Sequence, residues 1–134
     1  MSSISSGLAY DAIEHLRYKS MYGVALGGEP LGAVFTNSYD RLRWQLEGAV
    51  SAGGAANVAL SRRDQRLLRN AAGYVLSHAE RITQAIGLEA IVTQKELAAE
   101  GIVRTIMPVA QVRAFAAERV ADLMESAEVI QGQF

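Results

Sequence analysis

The chain is 134 residues long, 50% hydrophobic and 20% charged, with a formal net charge of -1 and no cysteine. That length and apolar content suit one globular domain around one hydrophobic core and exclude a disordered chain. The missing cysteines exclude a disulfide framework, a thiolate nucleophile and a Cys-ligated zinc, and no apolar run approaches the roughly 20 residues of a membrane span.

The opening Met1-Ser2-Ser3-Ile4-Ser5-Ser6-Gly7 lacks the basic and apolar regions of a secretory signal. It reads as a short polar arm over about residues 1–6: a flexible arm, an export tag or a helix cap. Ser5 or Ser6 can cap a first helix running to about Tyr22, with Leu8, Ala9, Ala12, Ile13 and Leu16 on one stripe. Gly23, Gly27, Gly28, Pro30 and Gly32 then interrupt it, leaving a short hairpin or a plain loop near residues 23–36.

Asn37 or Ser38 opens a second helix, from Tyr39 to about Ala52, that faces inward with Leu42, Leu46, Ala49 and Val50 and ends at Gly53-Gly54. Residues 55–60 read as a loop or a continuation. Ser61 is the expected N-cap of the longest helix, which runs to about Ile86 and stops at Gly87. Its stripe is Leu68, Ala71, Ala72, Val75, Ala79, Ile82 and Ile86. Thr93-Gln94-Lys95-Glu96 has capping-box spacing and predicts a further short helix stopping at Gly101.

Ile102 to Met107 is rich in β-branched residues and reads as extended, the more so because Pro108 disfavours helical geometry before it. Pro108 suits the first turn of the last helix, whose stripe is Val109, Val112, Ala116, Val120, Leu123, Ala127 and Ile130. The fold class is therefore all-α: an irregular bundle of four to five helices in a single domain, residues 1–134.

Groups that carry chemistry are few. His15 follows Asp11 by one helical turn, and His78 lies close to Tyr74. Each histidine reads first as satisfied by a neighbouring hydroxyl or carbonyl, and second as half of an acid–base pair. No serine sits in a nucleophile-elbow context. The glycines at 23, 27, 28 and 32 fail as a phosphate loop, because no Lys-Ser/Thr follows them. No cofactor and no metal are expected.

Charge is distributed unevenly: residues 1–70 hold eight Lys/Arg against six Asp/Glu, and residues 71–134 hold five against eight. Arg62, Arg66 and Arg69 share one face at the start of the long helix, where the helix dipole disfavours cations. Glu118, Asp122, Glu125 and Glu128 form an acidic stripe reaching into the end of the last helix, where it disfavours anions. Antiparallel packing of the two helices, within one chain or between copies, would resolve both conflicts; two solvated faces are the alternative. Trp44 points away from the core stripe of its helix, and Tyr18 and Tyr22 lie off theirs. Trp, Tyr and Arg dominate binding hot spots.

These ten residues form the expected interface of a non-enzymatic structural or assembly subunit, whose partners are copies of itself or subunits of a larger assembly. A virion component or a part of an exported machine fits, as does a cytoplasmic protein. Two other readings stay open. One is an anion- or nucleic-acid-binding regulatory module using the Arg62/Arg66/Arg69 face. It is the less favoured partner class, because lysines and interleaved aromatics are missing and Asp64 interrupts the run. The other is a small helical enzyme.

Overall fold

The computed structural model describes residues 2–23, 37–53 and 57–134. These form β1 (Ser2–Ser5), α1 (Ser6–Tyr22), α2 (Ser38–Ser51), β2 (Asn57–Leu60), α3 (Arg62–Ser77), α4 (Ala79–Ala99) and α5 (Val109–Gln133). The all-α bundle is the observed class, with one small sheet added. The chain divides into two compact units, Met1–Ser77 with Leu123–Phe134, and His78–Asp122, so α5 contributes to both.

The first unit is built by its caps and its small residues. Ser5 Oγ accepts from Leu8 N at 3.2 Å, Asn37 Oδ1 from Asp40 N at 3.0 Å and Ser61 Oγ from Asp64 N at 3.1 Å, which fixes where α1, α2 and α3 begin. Gly53 at φ 65° follows α2 in the left-handed region that ends helices. Ala9, Ala12 and Leu16 of α1 meet Leu42 and Leu46 of α2, Leu68, Ala71 and Ala72 of α3, and Ala127 and Ile130 of α5. Each fully buried Leu or Ile contributes about 1.5–3 kcal/mol.

Residues 2–5 are a strand and not a loose polar arm. β1 pairs antiparallel with β2, Ser2 opposite Leu60 and Ile4 opposite Val58. The cause is strand alternation: Ser3 and Ser5 face out while Ile4 and Leu60 turn into the core, 0% and 1% exposed. The amide of Gln133 donates to Ser3 O at 2.8 Å, tying the end of α5 to the same strand.

In the second unit α4 and the first half of α5 run antiparallel. Met107 N donates to Gln94 Oε1 at 2.8 Å, and a β-carbon at Gly87 would lie 4.0 Å from that of Ala116. Stepping back along α4 therefore matches stepping forward along α5. The inward positions are Ile82, Gly87, Val112, Ala116 and Val120.

Four expectations are corrected here. The long helix does not reach Ile86: it ends at Ser77, and His78 at φ -124°, ψ 29° separates it from α4. Gly87 is a buried contact inside α4, and Thr93-Glu96 lies mid-helix in place of a capping box. The apolar residues around them, half-buried Ile86, Ala90, Ile91 and Leu97, hold the helix through both local signals. Residues 102–107 are non-helical ahead of Pro108, as expected, and pair with no strand among the described residues. Val109 stands 46% exposed, outside the buried stripe that Val112 to Ile130 occupies. Gly101, at φ 76°, does terminate the region as expected. The hairpin or loop near residues 23–36 lies outside the described residues apart from Gly23, whose N–H donates to Lys19 O at 2.9 Å.

Candidate interaction surfaces

Both histidines have places in the structure that differ sharply. His15 is fully buried in the first unit, its Nε2 3.0 Å from Ser126 Oγ. The Ser126 hydroxyl donates its one proton to Leu123 O at 3.0 Å, so it accepts from His15 Nε2–H. The imidazole Nε2 thus meets a hydroxyl and links α1 to α5. His78 is exposed, whereas Tyr74 is 7% exposed. The Lys19 ammonium stands 5.3 Å from the Tyr74 ring centroid and 5.6 Å from that of Tyr39, a cation held between two aromatic rings. Among the described residues no group of three or more His, Asp or Glu could hold a metal ion.

The expected interface residues fall into three sets. Tyr18 is interior, 4% exposed and stacked on half-buried Tyr22 with ring centroids 6.4 Å apart. An off-stripe tyrosine reached the core because α1 is wrapped on more than one side, which one stripe does not disclose. Trp44 is 61% exposed on α2. The charged residues Arg62, Arg66, Arg69, Glu118, Asp122, Glu125 and Glu128 are all exposed.

Within the first unit the end of α5 does meet α3, but through neutral groups. The Gln131 amide donates to Arg69 O at 3.3 Å and sits over Gly73. No ion pair joins Arg62, Arg66 or Arg69 to Glu125 or Glu128 among the described residues; nearby on the first unit, Arg41 pairs with Asp64 at 3.5 Å and Arg43 with Asp40 at 2.8 Å.

A further set of exposed apolar side chains belongs to the second unit. Leu88, Val92, Ile102, Ile106, Met107, Val109 and Phe115 are each between 44% and 64% exposed. Two helices can bury one stripe apiece, and α4 is apolar on more of its circumference than that. Leu88 and Val92 lie one turn apart on α4, about 100° and 140° round the helix from Gly87. Scattered apolar side chains are ordinary on a protein surface; here seven of the eleven exposed large hydrophobic residues among those described belong to the second unit.

No family model matches the chain, no curated protein matches it, and no solved structure matches its fold. No helix among the described residues is long and apolar enough to cross a membrane.

Proposed function

We propose that the protein is a non-enzymatic structural or assembly subunit that works by docking onto copies of itself or onto a larger complex. The observation that carries this reading is the set of exposed apolar side chains on the second unit. At the length of His78–Asp122, a lone core rarely supplies more than about 3–5 kcal/mol, so a unit that also leaves Leu88, Val92 and Phe115 in water gains by being covered. Exposed Trp44 and the opposite charge stripes, which lack a mutual ion pair inside the first unit, add anchor and steering groups of the kind that interfaces use. Light scattering across low to high micromolar concentration tests it. A mass above the 14.4 kDa of one chain is expected, falling on dilution. A single-chain mass at every concentration and salt, with and without candidate partners, sinks the reading.

A second reading rests on the exposure of Arg62, Arg66 and Arg69 along one face of α3. Such a face can bind phosphates, and the affinity would fall steeply with salt as counterions are recaptured. Retention on heparin at low salt is its test; passage straight through discards it.

A further inference from the structure

The first unit carries two faces of opposite sign side by side. Arg62, Arg66, Arg69 and Gly73 follow at spacings of four, three and four along one face of α3, and the three arginines are exposed. Gln131 of α5 lies against Gly73 and donates to Arg69 O at 3.3 Å, so the arginine face borders the last turns of α5. Glu125 and Glu128 stand exposed there, six and three residues before Gln131. Neighbouring charges are taken up inside the chain: Asp64 meets Arg41 at 3.5 Å, and Arg63 donates to Ser38 Oγ at 3.2 Å. Among the described residues no such partner is found for the side chains of Arg62, Arg66, Arg69, Glu125 or Glu128. Nor do the helix dipoles account for the placement. Arg62 stands in the first turn of α3, where a cation is disfavoured, and α5 has no basic residue in its last turn to answer Glu128.

Resting on the assembly reading above, we infer that this surface docks on the same surface of a second copy of this chain, Arg66 and Arg69 of each copy meeting Glu125 and Glu128 of the other. Charge complementarity fixes the occupant. A surface with both signs side by side is complementary to itself across a two-fold axis, which lays the basic half of each copy on the acidic half of its partner. A phosphate chain would be drawn to the arginines but repelled by the two carboxylates that border them. Arginine suits the pairing, because its planar fork binds a carboxylate through two hydrogen bonds. Val129, 52% exposed and one turn after Glu125, adds apolar area to the contact. The contact is made by side chains that stand off α3, and it leaves the amides on the buried side, at Leu68 and Val75, protected by the core as before.

The test uses the whole chain and two double variants, Arg66→Glu/Arg69→Glu and Glu125→Arg/Glu128→Arg. All four side chains are exposed, so the helical circular dichroism should stay unchanged. Each variant alone sets like charges against each other and should self-associate roughly tenfold or more weakly than the wild type. An equimolar mixture of the two should associate within about threefold of the wild type, because opposite signs face each other again. Wild-type association should also weaken as salt is raised, which a contact made by apolar side chains alone would not do. Two variants that associate as the wild type does, or that mixing fails to rescue, overturn the inference and leave the assembly reading standing. Retention of the wild type on heparin, lost in Arg66→Glu/Arg69→Glu with self-association unchanged, overturns it in favour of a phosphate partner. A wild-type chain that is a monomer at every concentration and salt overturns both.

Discussion

In the first unit Leu16, Leu42, Leu46 and Leu68 are at most 1% exposed, whereas in the second unit Leu88 is 64% and Phe115 60% exposed. The residue types are alike, so hydrophobicity alone does not separate them. What differs is the number of layers. The first unit sets α1 among α2, α3, the end of α5 and a two-stranded sheet, and Ala9, Ala12, Ala71 and Ala72 let those layers approach closely. The second has two helices only, and a helix with apolar residues on two sides keeps one of them in water until a third element arrives. The first unit is finished by its own sequence; on the proposed reading, the second awaits a partner.

Substitutions should expose that contrast. The largest effect belongs to the closed core: Leu68→Ala should lower stability by about 2–5 kcal/mol in denaturant melts, because the cavity cannot be refilled. Leu88→Ala in the same assay, at concentrations where association is negligible, should change stability by no more than about 0.5 kcal/mol. Equal losses at both sites would erase the distinction.

Two smaller changes sharpen it. At Gly23 a β-carbon would lie 2.7 Å from the Lys19 side chain, 3.0 Å from its carbonyl oxygen and 3.1 Å from the Tyr74 ring. Gly23→Ala should therefore cost about 1–3 kcal/mol by crowding the cation–aromatic cluster. Gly87→Ala has the opposite sign. Its β-carbon meets Ala116 at ordinary contact distance, 4.0 Å, so the helix gains about 0.5–1 kcal/mol in thermal or chemical unfolding. A loss at Gly87 would mean that α4 and α5 sit closer than described. Smallest of all, Asp64→Asn should cost well under about 1 kcal/mol, since Arg41–Asp64 is a 3.5 Å pair with side chains 29% and 19% exposed.

The same division governs what the sequence discloses. Caps at Ser5, Asn37 and Ser61, the left-handed Gly101 and the apolar stripe of α5 are local, and periodicity finds them. His15 was readable as a histidine met by a hydroxyl, though not that Ser126, far along the chain, supplies it. The break at His78 carries no glycine or proline, and Gly87 and the Thr93 capping box are local stop and start signals overridden by packing. β1 was hidden because a four-residue strand with a single apolar side chain is indistinguishable from a tail until β2 stands beside it.

Amide hydrogen exchange at two protein concentrations bears most directly on the contrast between a finished unit and an unfinished one. Protection of the amides around Leu88 and Val92 should rise with concentration, while that around Leu68 and Val75 stays the same. No change at either place, with α4 exchanging alike in dilute and concentrated samples, would contradict the claim that the second unit is built to be covered.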